Sequence, residues 1–198
     1  MTMSQFEVQN IDQTVLLWLD ELQKDTISAM RQHLQVGTKR DERDLVTNVD
    51  KANEQKINAL IRSFDTNAQI VSEEGFGDKP TDMNGHVWFV DPIDGTMNFV
   101  KEHTDFAIMI ALYVDNQPVL GWILDVVDNV VYHGGPKIGV FANQLRIQQP
   151  EDDSLAEGVV LLSGARLLYG MFGYDQIAKA ALGSVSYTHL TLPTTPYV

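Results

Sequence analysis

The sequence predicts an α+β fold: a layered sandwich in which two long helices pack on a mainly antiparallel sheet. Three observations predict it. Apolar residues recur at spacings of three and four through the first third of the chain. From position 68 the period becomes that of strands, and the runs grow rich in β-branched and aromatic residues. Those runs follow one another across short turns instead of alternating with helices.

In chain order, Ile11, Val15, Trp18, Leu19, Leu22, Ile27, Met30 and Leu34 place a first helix over residues 6–36, with Gly37 as its stop. Lys39-Arg40-Asp41-Glu42-Arg43-Asp44 is charged and reads as an exposed loop. Asp50 opens a second helical pattern, with Ile57, Leu60, Ile61 and Phe64 on one face. Residues 68–72 and 86–91 read as strands. Residues 106–114 and 119–127 read as a hairpin across Asp115-Asn116-Gln117-Pro118. Asp128-Asn129 turns the chain into 130–133, and Gly134-Gly135-Pro136 breaks it. Short strands at 138–142 and 145–147 flank Asn143-Gln144. Beyond them, 158–163 reads as a strand and 174–182 as a short helix.

At 198 residues the chain suits one large domain, or one and part of a second. Lys and Arg number 14 against 27 Asp and Glu, a formal charge of −13. That balance excludes the basic stripe that a nucleic-acid polymer or an anionic membrane needs, and directs attention to cations. Without cysteine there is no disulfide, zinc–thiolate site or cysteine nucleophile. The N-terminus has no basic segment followed by an apolar one, and the longest apolar run, nine residues at 106–114, is about half a membrane span. A soluble, cytoplasmic protein is expected.

Three segments carry chemistry. In Trp88-Phe89-Val90-Asp91-Pro92-Ile93-Asp94-Gly95-Thr96-Met97-Asn98-Phe99, a hydrophobic strand delivers Asp91 to a stiff turn and Asp94 follows three residues later. Gly95 permits close backbone approach, and residues 96–99 can begin a helix whose free N–H groups suit a phosphate. Oxygen ligands without His or Cys suit Mg²⁺ or Mn²⁺. The bare Asp-Pro-x-Asp-Gly pattern is equally a good β-turn. Ile70-Val71-Ser72-Glu73-Glu74-Gly75 ends a strand on adjacent glutamates, which read as cation ligands or, standing alone, as a solvated turn. In Asp44-Leu45-Val46-Thr47-Asn48-Val49-Asp50-Lys51, either Thr47 or Asp50 caps the second helix, and Asp50 can serve the same cation cluster. His33, His86, His103 and His133 read as structural.

Together these segments resemble the inositol monophosphatase family of lithium-sensitive, magnesium-dependent phosphatases. Asp91-Pro92-Ile93-Asp94-Gly95-Thr96-Met97-Asn98-Phe99 is similar to that family's signature at every defined position. Ser72-Glu73-Glu74 resembles its Gly-Glu-Glu segment with Ser for Gly, and Asp44-Leu45-Val46-Thr47 with Asp50 resembles a third. The resemblance covers about residues 6–182. It implies the layered sandwich of the inositol and sugar phosphatases, and a Mg²⁺-dependent phosphomonoester hydrolase acting on inositol monophosphate or a related small sugar phosphate. By resemblance, Glu73, Asp91 and the Ile93 carbonyl bind one Mg²⁺, and Asp91 and Asp94 share a second. Asp50 joins Glu73 around a third, largely through water. Thr96 orients and deprotonates the attacking water, and the Gly95 and Thr96 N–H groups hold the phosphate. Lys39 falls where the family has a mobile-loop lysine, and reads as well as an ordinary exposed lysine. The carboxylates of Glu73, Asp91 and Asp94 are expected to converge, around ions about 3.5–4 Å apart. A homodimer would be usual for the family.

The chain departs from the family in two places. None of Trp18, Trp88 and Trp122 is followed by Asp, so the Trp-Asp pair that gives the second ion another carboxylate is missing. Residues 184–198 hold no Asp, Glu, Lys or Arg but four threonines and two prolines, and they resemble a foreign reading frame. The expected organisation is a metal-binding phosphatase domain over 1–183, a second domain starting near 158–183, and a non-native tail over 184–198. The chain is then expected to be an N-terminal fragment, inactive or weakly active. Two other readings stand beside the first: a 3′(2′),5′-bisphosphate nucleotidase of the same family, and a non-catalytic cation-binding or interaction protein.

Overall fold

Ser4 starts the first helix, α1 (Gln5–Met30), through a capping box. Its hydroxyl accepts the Glu7 N–H at 3.2 Å, and the Glu7 carboxylate accepts the Ser4 N–H at 2.7 Å. This architecture comes from a computed structural model of the chain, which describes residues 3–31, 35–38, 45–80 and 82–149. The helix buries Val8, Ile11, Val15, Trp18, Leu19 and Leu22. It ends at Met30, with Arg31 as C-cap, and not at 36. The cause lies beyond it: β-branched Val36 is drawn into a short strand β1 (Val36–Thr38) that pairs antiparallel with β2 (Leu45–Thr47). Gly37 therefore lies within a strand and stops no helix.

The second helix, α2 (Asn48–Phe64), is capped by Thr47, whose hydroxyl accepts the N–H groups of Val49 and Asp50. Asp50 returns the bond by accepting the Thr47 N–H at 3.0 Å, so Thr47 and Asp50 form one reciprocal cap.

Among the described residues, seven strands then form one sheet in the order β3 (Gln69–Ser72), β4 (His86–Asp94), β5 (Ala107–Val114), β6 (Gln117–Asp125), β7 (Val130–Gly135), β8 (Gly139–Ala142) and β9 (Leu145–Ile147). Of these described strands, β3 and β4 run parallel and every other neighbouring pair is antiparallel. Asp115 and Asn116 join β5 to β6 with φ of 49° and 64°, the mirror-image turn that matches strand twist. Strand β6 begins two residues before the expected 119. Pro118 is accommodated at a register shift beside Leu112 and Tyr113, where a missing N–H costs no ladder bond. Strand β4 runs on past 91 to Asp94 through a second register shift, between Asp91 and Asp94. A short helix α3 (Thr96–Lys101) follows.

Both long helices contribute to one core with the sheet, in which the Trp88 and Trp122 rings stack at 6.1 Å and Trp18 lies 6.3 Å from Trp88. Asp12 on α1 is buried and ties the helix to the sheet. Its Oδ1 accepts Trp122 Nε1–H at 2.9 Å and lies 2.8 Å from His133 Nδ1, while His133 Nε2 is 2.9 Å from the Asn143 carbonyl. His86 similarly meets Asp65, the C-cap of α2, at 2.7 Å, and His103 Nδ1 lies 2.8 Å from the Phe99 carbonyl at the end of α3. These three histidines are structural. On the other sheet face, Ile123, Tyr132 and Val140 stand 46%, 45% and 49% exposed. No described helix is long and apolar enough to cross a membrane. Lys39, His33, the elements expected at 158–163 and 174–182, and the 184–198 tail lie outside the described residues.

Candidate active site

Parallel pairing builds the first half of the site. Ile70 lies opposite Trp88 and Ser72 opposite Val90, so continuing the register by one residue brings Glu73 beside Asp91. Glu73 directly follows β3, and Asp91 stands at the last regular pair of β4 before its register shift, toward the carboxyl ends of two parallel strands, where open sheets offer ligands a crevice. The Glu73 and Asp91 carboxyls hydrogen-bond to each other, and the Asp91 acid is pushed up to about 7. Burial is the largest cause, followed by the charge of Glu73, that shared hydrogen bond and the charge of Asp94; only the Ile93 N–H pulls the other way. Asp91 Oδ1 is buried with no hydrogen-bond partner.

The register shift in β4 builds the turn that follows. Gly95 sits at φ 86°, left-handed, as N-cap of α3. A Cβ there would come within 3.1 Å of the Asp105 carbonyl, so glycine is required twice over. Two residues of the signature pin the turn from beyond. Asn98 Nδ2–H donates to the Asp105 carbonyl at 2.9 Å, and the buried Phe99 ring meets Phe106 edge-on at 4.9 Å. Asn53 on α2 also reaches it: its amide donates to Thr26 of α1 at 3.0 Å and lies 3.5 Å from the Pro92 carbonyl.

Asp50 and Thr96 form the second half. Asp50 is 1% exposed, and its Oδ1 accepts the Thr96 hydroxyl at 3.1 Å. Its Oδ2 accepts both the N–H and the hydroxyl of Thr47. Burial raises the Asp50 acid above the usual range, opposed by the bonds from Thr47 and Thr96. The Thr96 hydroxyl also lies 3.1 Å from the Ile93 carbonyl. It has a single proton, so it donates to one of these acceptors at a time.

The structure thus joins Asp50, Thr96 and the Ile93 carbonyl in one group, and Glu73 with Asp91 in another, with Asp94 close enough for its charge to act on Asp91. Among the described residues, no three acidic or histidine side chains stand together as a ready metal shell. The expected three-way convergence is instead a carboxyl pair with an exposed third charge beside it. Like charges explain this, since two neighbouring carboxylates favour sharing a proton and a third turns to water. The donor set still fits a hard divalent cation. It is all oxygen, one buried oxygen is unpartnered, and the repulsion that raises the Asp91 acid is what a cation relieves.

Sequence reasoning missed Glu54, and quoted Asn98 within the signature without giving it a role. Glu54 on α2 is completely buried and accepts hydrogen bonds from three groups in residues 72–76. Its signal was a charged residue one helical turn after Asp50, on the face that also carries Ile57 and Ile61.

The chain matches the model of the inositol monophosphatase family over residues 5–171. It is similar to the inositol-1-monophosphatase of Bacillus subtilis, 33% identical over 153 residues, covering 77% of this chain and 58% of that one. It is 30% identical over 124 residues to a fructose-1,6-bisphosphatase/inositol-1-monophosphatase of Aquifex aeolicus, covering 61% of this chain and 45% of that one. A solved structure of an IMPase/NADP phosphatase complexed with Mg²⁺ and phosphate superposes with a TM-score of 0.75 at 27% identity, over 91% of this chain and 67% of that one. The chain spans about half the length of the curated relatives it matches.

Proposed function

Because the chain belongs to the inositol monophosphatase family, we propose that it is a Mg²⁺-dependent phosphomonoester hydrolase acting on inositol monophosphate or a related small sugar phosphate. The observation that carries this reading is the Glu73–Asp91 pair, with its unpartnered Asp91 Oδ1, beside the Asp50–Thr96 hydrogen bond. Glu73, Asp91, Asp94 and the Ile93 carbonyl are the oxygens that would hold Mg²⁺. When bound there, Mg²⁺ neutralises phosphate oxygens and acidifies a nearby water.

The chain's own residues supply the rest. With its proton donated to Asp50 Oδ1, Thr96 Oγ1 keeps lone pairs that accept a hydrogen from a water and so orient it for attack. As that water gives its proton to Thr96, the hydroxyl proton passes to Asp50. Burial has already raised the proton affinity of Asp50. The N–H groups of Gly95 and Thr96, at the start of α3, would hold the phosphate. No covalent phospho-enzyme is required, and the chain has no cysteine to form one. Similarity to an IMPase/NADP phosphatase supports a second substrate class, nucleotides bearing a ribose phosphate.

The test is phosphate release by the purified chain from inositol monophosphate, fructose bisphosphate and adenosine 3′,5′-bisphosphate, with and without Mg²⁺, beside Thr96→Val. Release that needs Mg²⁺ and falls at least about 10²-fold in Thr96→Val is expected. Metal-independent release, or full turnover in the variant, overturns the reading.

A further inference from the structure

We propose that Glu54, buried on α2, is a positioning residue that aims Glu73 at Asp91 by gripping the loop that carries Glu73. The inference rests on the reading of Glu73 and Asp91 as cation ligands. Glu54 is 0% exposed, and a carboxylate so placed is stable only if its oxygens are satisfied. Among the described residues, its hydrogen-bond donors come from the last residue of β3 and the loop that follows it. Oε1 accepts the Ser72 hydroxyl at 2.6 Å and the Phe76 N–H at 2.8 Å, and Oε2 accepts the Glu74 N–H at 2.5 Å. These bonds bracket Glu73: one donor precedes it and two follow.

The loop needs such a grip. Glu73 lies one residue past the end of β3, beyond the last pair that ties β3 to β4. A bond to Glu54 on each side of Glu73 holds that residue in line with the strand and keeps the ligand placed before a cation arrives. The rest of the loop is tied down further along. Asp78 donates its N–H to the Ile70 carbonyl at 2.6 Å, accepts the Ile70 N–H at 2.8 Å, and pairs with Arg62 of α2 at 2.9 Å. Gly77 lies so close to β3 that a Cβ would meet Ser72 Oγ at 2.5 Å and the Ile70 carbonyl at 2.6 Å. Asp50 and Glu54 are four residues apart on α2, so a single helix face addresses Thr96 with one carboxylate and the Glu73 loop with the next.

The test uses the full chain and Mn²⁺ as a paramagnetic stand-in for Mg²⁺. Glu54→Gln keeps the shape, but its amide nitrogen opposes the Glu74 N–H, donor against donor. Mn²⁺ binding should weaken at least about 10-fold, as removal of outer-shell partners of metal ligands does. Amide exchange at Glu74 and Phe76 in the metal-free protein should quicken, with exchange through the middle of α2 unchanged. Mn²⁺ affinity within about twofold of the parent, in folded Glu54→Gln, overturns the proposal. If Glu54→Gln does not fold, Ser72→Ala decides, because it removes one donor and leaves the carboxylate. Binding weakened about 3-fold with faster Glu74 exchange supports the grip, and unchanged binding refutes it. Glu73→Gln separates the premise from the inference. If it leaves Mn²⁺ affinity intact, the ligand reading fails, while the amide exchange of Glu54→Gln still reports whether the loop is held.

Discussion

Replacing Asp91 by Asn should make the metal-free protein more stable while abolishing its response to Mg²⁺. Burial and the charges of Glu73 and Asp94 lift the Asp91 acid from the ordinary aspartate range to about 7. A rise of about three pKa units corresponds to about 4 kcal/mol, and because Asp91 is only partly buried, solvent screening reduces this to about 2 kcal/mol. The folded state binds this proton more tightly than the unfolded chain does. Its contribution is therefore complete below about pH 4 and is lost as pH rises through about 7. Asn does not ionise, so Asp91→Asn escapes that loss. In thermal melts with chelator near pH 8, the variant should exceed the parent by about 4–8 °C, and near pH 5 the gap should shrink. Saturating Mg²⁺ should then raise the parent by mass action and leave the variant where it was. Turnover should fall about 10³-fold, or about 4 kcal/mol in barrier. A variant no more stable than the parent near pH 8, or one equally responsive to Mg²⁺, refutes the reasoning.

Thr47→Ala removes the α2 cap and a partner of Asp50 together, and should cost about 1–2 kcal/mol in urea unfolding. Gly95→Ala, at φ 86° and 3.1 Å from the Asp105 carbonyl, should lower stability by about 1–3 kcal/mol in the same assay and abolish phosphate release. Asp12→Ala leaves the Trp122 N–H and a His133 ring nitrogen without their shared acceptor. It should cost about 3 kcal/mol, with Asp12→Asn recovering part in matched melts.

Much of this was legible because it is local. The three-and-four spacing from Ile11 to Leu22 marks the buried face of α1, and Thr47 with Asp50 is a cap written in four residues. Residues 91–99 specify their own turn: a proline, a glycine at positive φ and a helix start. What stayed hidden depends on partners distant in sequence. The pairing of Asp94 with Ala107 extends β4, and no period in residues 86–94 announces it. Parallel pairing of β3 with β4 leaves the same alternation as antiparallel pairing, so the neighbourhood of Glu73 and Asp91 had to come from the family resemblance. The early end of α1 follows from strand pairing by Val36, which a helical pattern running to Leu34 conceals. The role of Glu54 is not legible locally, because the segment that supplies its hydrogen-bond donors, residues 72–76, lies about twenty positions later.

The bond network around Asp12 also fixes an order of events. Asp12 reaches its partners Trp122 and His133 across 110 and 121 residues, whereas α2 and β2 to β5 find their neighbours over shorter spans. During synthesis the first helix emerges with Val8, Ile11 and Val15 on one side and no sheet to receive them until β6 and β7 have been made. Long-range closures of this kind are slow, and they leave apolar surface open to wrong partners while they wait. The earliest part of the chain to be translated therefore completes its anchorage only after most of the sheet has been made. In pulse-labelled refolding, amide protection in α1 should appear after that of β4 and β5.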